Sequence, residues 1–236
     1  EDFLRGALQS LRSPDEDTRL DGITAINELV NGCFGDDGRM FGEMMRAQGG
    51  VLLLSNCLTD SSPDVQAQGL LVLGNICSDS VDSESMRTKK ALLAIGGDRP
   101  LLTCLDSREQ DVLTLAVATH KIFATVGVPG RGVSPFSHYT LLPLASPEPL
   151  RAQTHPCLTL ADPEWSAVLI QRGVEPRLEE ILKHARRWAD EQMVRYASGT
   201  LKNLIESAKA SGGPMPALSE EAWAAVQERE VAHFVQ

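Results

Sequence analysis

Histidine, cysteine and amide side chains are the groups in this chain able to bind a metal, attack a carbonyl or grip a peptide backbone, and their spacing separates those chemistries. The five histidines, His120, His138, His155, His184 and His233, form no metal-ligand spacing with one another or with cysteine, so no zinc site is expected. Cys157 and His155 sit among prolines, a poor foundation for the rigid geometry a nucleophile and its base require. No nucleophile elbow is present for Ser-His-Asp chemistry. Gly127, Gly130 and Gly132 lack both the Lys-Ser/Thr and the preceding strand of a phosphate loop. The chain is therefore read as non-enzymatic, with no catalytic residue, metal or cofactor. His120 falls on an apolar helix face and is expected to be a satisfied core histidine. A mixed basic and aromatic cluster runs through His184, Arg186, Arg187 and Trp188, with Arg195 and Tyr196 beyond it. The expectation there is a solvated turn with Trp188 packed against the stack, and the alternative is an interface patch.

The elements that position these residues come from an internal repeat. Gly49-Gly50, Leu54, Cys57-Leu58 and Asp64 recur 47 residues later as Gly96-Gly97, Leu101, Cys104-Leu105 and Asp111. A period of that length without strand-like alternation points to stacked helical units, because one unit cannot bury its own apolar face. In residues 64–78, Val65, Gly69, Val72, Leu73 and Ile76 fall on one helix face, and Gln68, Leu71 and Asn75 fall on another. Ser62-Pro63-Asp64 supplies the turn, the first-turn proline and the N-terminal acid. The same plan appears after Ser13-Pro14-Asp15, with Gly22, Ala25, Ile26 and Leu29 in the buried register. It appears again with Val112, Ala116, Thr119, His120 and Phe123, and near the C-terminus with Met193, Ala197, Thr200, Leu201 and Leu204. Cys57 and Cys104 are expected to be buried thiols in equivalent second helices. Met40, Met44 and Met45 near Phe41 are expected in the core between repeats.

The order of a short helix, a second helix entered through glycine, and a longer third helix resembles the armadillo repeat family. The most specific pieces are Pro63-Asp64-Val65-Gln66 leading into Leu73-Gly74-Asn75-Ile76, and Tyr196-Ala197-Ser198-Gly199-Thr200-Leu201-Lys202-Asn203-Leu204. The resemblance implies an all-α, right-handed α-α superhelix. It further implies a groove lined by third helices, in which Asn75 and Asn203 match an asparagine that binds the main chain of an extended peptide. By register the candidate contacts are Thr24 and Glu28 in the first unit, Gln68, Leu71 and Asn75 in the second, and Tyr196, Gly199 and Asn203 in the fourth. Importin-α-type repeats carry tryptophan where Leu71 and Gly199 stand here. The string Leu73-Gly74-Asn75-Ile76-Cys77 is similar to a segment of the armadillo-type dissociation stimulator of small GTPases. A small-GTPase regulator, or a nuclear-import adaptor-like protein, is thus the alternative to a protein-binding scaffold.

Organisation and composition complete the reading. Repeats one to three are expected over residues 1–126, a proline- and glycine-rich insert over 127–163, repeat four over 164–211 and a C-terminal helix over 212–236. Seven of the thirteen prolines fall in the insert, which cannot be a helix interior. A disordered linker, a groove-covering or partner-binding loop, and translated non-coding sequence remain open for it. The net charge of −10 opposes attraction to phosphate backbones, so nucleic acid is not an expected partner, and a protein or peptide is. No apolar run approaches the 18 residues that a spanning helix needs, and no basic-then-apolar leader opens the chain. Packed thiols suggest a reducing compartment, cytoplasmic and also nuclear. Because residue 1 is glutamate, the chain is expected to start inside a longer protein or at a processed end.

Overall fold

The computed structural model describes residues 2–33, 35–124 and 163–234. All regular structure in them is helical. The first unit holds α1 (Asp2–Ser10) and α2 (Glu16–Asn31). The second holds α3 (Asp36–Ala47), α4 (Gly50–Cys57) and α5 (Pro63–Ile76). The third holds α6 (Ser85–Ala94), α7 (Asp98–Thr103) with a 3-10 turn at Cys104–Asp106, and α8 (Gln110–Phe123). The fourth holds α9 (Pro163–Gln171), α10 (Val174–Arg187) and α11 (Glu191–Ser211), and α12 (Glu220–Phe234) follows. The third helices α2, α5, α8 and α11 pack side by side in that order, each also against the second helix of its own unit. The expectation that the insert 127–163 is irregular lies outside the described residues except at Pro163, which opens α9.

Local chemistry accounts for where the helices start and stop. Asp15 caps α2, its carboxylate accepting from the Thr18 N–H at 2.9 Å, and Asp190 caps α11 by accepting from the Met193 N–H at 2.9 Å. Pro63 opens α5, where a missing N–H has no intrahelical acceptor to disappoint. Each corner into a second helix carries a glycine in the left-handed region, Gly49, Gly96 and Gly173, at φ of 73°, 75° and 70°. The end of α10 departs from this. Ala189 takes φ of 54° there, and the Asp190 N–H reaches back to the Ala185 carbonyl at 2.9 Å. That is the closing hydrogen bond of a Schellman motif whose left-handed position usually holds glycine.

The core follows the expected faces with five corrections. Leu71 and Asn75 are enclosed together with the apolar face of α5, and Ile23 and Val30 join the buried face of α2, where Ala25 and Leu29 are only partly covered. Cys57 ends α4, but Cys104 opens the 3-10 turn rather than lying within a second α-helix. Both thiols are buried and pushed up to about 12 by burial. Met45 and Phe41 are core residues, whereas Met40 is 51% exposed. Trp188 is 76% exposed at the α10–α11 turn, with the Arg187 guanidinium 5.9 Å from its ring, so it does not pack against the stack.

Trp165 fixes the fourth unit to the third. Its side chain is fully buried, its ring centroid lies 4.3 Å from that of Phe123, and its indole N–H donates to the Lys89 carbonyl at 3.0 Å. One side chain thereby joins α9 to α8 and α6. Trp165→Ala should cost about 3–5 kcal/mol of stability, and an unchanged chemical-denaturation midpoint would contradict this joint. Ala189→Gly should instead raise stability by about 0.5–1 kcal/mol, because relief of the left-handed strain exceeds the added unfolded-state entropy. A lowered melting temperature in that variant would show that the turn is not strained.

Candidate partner-binding surface

The third helices carry a repeated register that builds the candidate surface. A shift of 47 residues superposes α2, α5 and α8, and Asn203 stands 128 residues after Asn75 in α11. Thr119 and Thr200 then occupy one register and each brings its hydroxyl toward the preceding third helix. The Thr119 hydroxyl donates to the Leu70 carbonyl of α5 at 3.3 Å, whereas the Thr200 hydroxyl, 3.4 Å from the Val117 carbonyl of α8, has its nearer acceptor in the Tyr196 carbonyl of its own helix at 2.9 Å. Leu70 and Val117 are themselves equivalent. The buried Thr119 hydroxyl thus finds its acceptor on the preceding third helix, and Thr200 approaches the equivalent carbonyl while bonding within its own helix.

A second pair of equivalent positions meets at the seams. The Asn27 amide of α2 donates to Gln68 Oε1 of α5 at 3.1 Å. At the corresponding seam the Lys121 ammonium of α8 lies 5.6 Å from the ring centroid of Tyr196 in α11. Asn203 donates from Nδ2 to the Lys121 carbonyl at 3.2 Å, and the Gln192 amide reaches the Tyr196 hydroxyl at 3.5 Å. Asn27, Lys121, Thr119 and Thr200 were not among the sequence-derived contacts. The signal that finds them is the register itself, once α11 is aligned with the other third helices.

The eight candidate contacts divide by exposure. Thr24 and Glu28 are exposed on α2, and Gln68 and Asn203 are half-buried. Leu71, Asn75 and Tyr196 are only 2%, 5% and 6% exposed, and Gly199 is buried. No described residue hydrogen-bonds the Asn75 amide, whereas the Asn203 amide is engaged by its neighbour. Neither asparagine matched to a peptide-binding one therefore presents an open, unengaged amide. Asn75 is recessed between helices, and Asn203 bridges two of them.

His120 sits fully buried on α8, its Nδ1–H donating to the Ala116 carbonyl at 2.8 Å. Its Nε2 has no partner among the described residues, which leave the histidine only half satisfied. Burial pushes its pKa down to about 4. Among the described residues no group of three or more His, Cys, Asp or Glu is placed to hold a metal, and no helix is long and apolar enough to cross a membrane.

Comparison with known proteins places this arrangement. No model of a known protein family matches the chain, and no curated protein matches it in sequence. Solved structures do. A designed armadillo repeat protein is similar at a TM-score of 0.60 and 18% identity, over 94% of this chain and 79% of its own. A second, in complex with the peptide (KR)4, reaches 0.61 at 18% identity over 94% of this chain and 78% of its own. A third, computationally designed for modular peptide recognition, reaches 0.60 at 17% identity over 95% and 79%. The fold is an armadillo-type helical repeat, an all-α superhelix. The resemblance read from Asn75, Asn203 and their flanking residues therefore holds at the level of the fold.

The buried histidine generates a pH prediction. Its folded pKa lies below the unfolded value of about 6.5, so the unfolded chain binds the extra proton between those two values. Stability is then complete above about pH 6.5 and lost as pH falls toward 4, by a few kcal/mol in order of magnitude. His120→Leu places the residue found at the equivalent Leu73 and should flatten that window. Denaturation midpoints measured from pH 7 to pH 4.5 check this, and parallel decline in wild type and variant would remove His120 as the cause.

Proposed function

We propose that this chain is a non-enzymatic protein-interaction scaffold that holds an extended segment of a partner across the face formed by α2, α5, α8 and α11. The observation that carries the reading is the side-by-side third helices, in the fold that the (KR)4-bound designed protein and the design for modular peptide recognition also have. Thr24 and Glu28 are the exposed contacts, and Gln68 and Asn203 are half-buried ones whose amides also bridge neighbouring helices. Leu71, Asn75, Tyr196 and Gly199 form the recessed floor between them. Free buried thiols at Cys57, Cys77 and Cys104 support a reducing, cytoplasmic setting.

The small-GTPase alternative draws nothing further from the geometry. In the string that motivates it, Leu73, Ile76 and Cys77 are fully buried and Asn75 nearly so, which leaves little for a partner to touch. The nuclear-import alternative meets Leu71 and Gly199 in place of its tryptophans.

Selection of displayed 12-residue peptides on the purified protein tests the reading. Selected peptides should lose about tenfold or more in affinity for a Thr24→Arg variant, while its melting temperature stays within the small range of an exposed substitution. Lys183→Glu, on exposed α10, should leave binding unchanged. Equal loss with both variants, or binding indifferent to position 24, would place the binding surface elsewhere.

A further inference from the structure

Unit four is longer than its counterparts at one place. Gly173 stands 124 residues after Gly49, whereas Asp190 stands 128 after Ser62, these two being the residues that precede α11 and α5. Four extra residues, about one helical turn, therefore lie between Gly173 and Asp190. The helix takes them up, since α10 runs for 14 residues where α4 runs for 8. Its prolonged end carries Lys183, His184, Arg186, Arg187 and Trp188, with no acid from Ile181 to Ala189, in a chain whose net charge is −10.

Basic residues at a helix C-terminus complement its dipole and by themselves call for no partner. The indole is a different matter, because Trp188 is more exposed than any other large apolar side chain among the described residues. The turn on which it stands is held by a left-handed alanine, Ala189, a backbone cost of the kind that accumulates at functional sites. Most of the acids nearby are already engaged. Glu228 holds Arg186 at 2.6 Å, Glu180 faces His184 at 3.4 Å, Glu179 accepts from the Ser219 N–H at 2.9 Å, and Asp190 accepts from the Met193 N–H. Glu191 lies in the first turn of α11, at the positive end of that helix. Lys183 and Arg187 are exposed one turn apart on one helix face, and no described carboxylate pairs with either. The Arg187 guanidinium lies beside the Trp188 ring instead.

We propose that the prolonged end of α10 is a second docking surface, separate from the third-helix face, for an acidic segment of a partner protein. An apolar side chain of that segment packs on Trp188, and its carboxylates pair with Arg187 and Lys183. Tryptophan and arginine are the residue types that dominate interface energetics, and the unpaired cations select an acidic segment by charge complementarity. An anionic membrane fits this surface less well. The exposed Glu180 and Glu191 flank the ring in the chain, and one indole is a narrow foothold on a bilayer, whereas a thin segment meets the cations without meeting those acids. The inference stands independently of the scaffold reading above.

Two labelled 12-residue peptides that share a central Leu-Phe pair, one bearing four glutamates and the other four glutamines, test it. By fluorescence anisotropy the glutamate peptide should bind about tenfold more tightly, and its advantage should shrink as salt rises from about 0.05 to 0.5 M, which shortens electrostatic reach to a few ångströms. Trp188→Ala should weaken it about tenfold or more. A Lys183→Glu, Arg187→Glu double variant should do the same, each exposed pair contributing a factor of up to about five. Melting temperatures of both variants should stay within the small range of exposed substitutions, and Thr24→Arg on the third-helix face should leave binding unchanged. Binding should also shift the tryptophan emission of the wild type to the blue and leave that of Trp188→Ala in place. If the glutamate peptide has no advantage, or if both variants bind it as the wild type does, the inference falls. It falls likewise if Trp188→Ala abolishes binding to phosphatidylserine vesicles but not to the peptide, which would assign the ring to a membrane. Loss in that variant of a dimer seen by sedimentation, with peptide binding intact, would overturn it in favour of a second copy of the chain.

Discussion

The structure depends on how closely each third helix can approach its own second helix, and one register sets that distance. Gly22, Gly69, Ala116 and Ala197 occupy it. A methyl group on Gly22 would stand 2.6 Å from Ser10 Cβ and 2.9 Å from the Ala7 carbonyl oxygen, and one on Gly69 would stand 2.9 Å from Cys57 Cβ. Those approaches are too close for any larger residue without a shift of backbone. Glycine in a helix interior costs about 0.5–1 kcal/mol relative to alanine. Overpacking such a contact costs about 1–3 kcal/mol, so the smaller residue wins in the first two units. In units three and four alanine fills the same place and is fully buried.

Once the helices are pitched by that register, their neighbours along the stack are determined too. The Thr119 and Thr200 hydroxyls can reach the Leu70 and Val117 carbonyls only if consecutive third helices hold the same offset. The same offset brings Asn27 to Gln68 and Lys121 to Tyr196. Surface and seam are therefore shared: a residue placed to touch a partner is also placed to touch the next helix. Thr24 and Glu28 are exposed because α2 has a third-helix neighbour on one side alone among the described residues. Leu71 and Asn75, at the same registers one unit later, are enclosed.

That sharing explains what the sequence made legible and what it did not. Helical periodicity and the 47-residue repeat report which residues lie on one helix, so the units, their third helices and most buried positions could be read from Gly49, Leu54, Cys57 and their echoes. Periodicity says nothing about what covers the remaining faces. Asn75 falls off the apolar stripe and still ends up recessed, because α5 is flanked by third helices on both sides. Asn203 also falls off its stripe, yet its amide is taken by the Lys121 carbonyl, an acceptor more than 80 positions away in the chain. Trp188 looked like a packing residue by type. Its place in the three-residue connection, where Ala189 closes the end of α10 and Asp190 caps α11, leaves no helix to receive the ring.

The arginines show why the acidity concentrates where it does. Arg46 binds the fully buried Asp82 and also Thr88, each at 2.6 Å, tying α3 to α6 and the turn before it. Arg172 holds the buried Asp98 at 2.9 Å, and Arg177 holds the Leu102 carbonyl at 2.8 Å and Asp106 at 3.3 Å, tying the fourth unit to the third. With Arg19 on Asp60, these cations act as joints between successive elements. The joints on Asp60, Asp82 and Asp98 neutralise carboxylates that are largely or wholly buried, where an unpaired charge would be costly. Other acids stand at surface positions without a described arginine partner, Asp17, Asp21 and Glu28 of α2 among them.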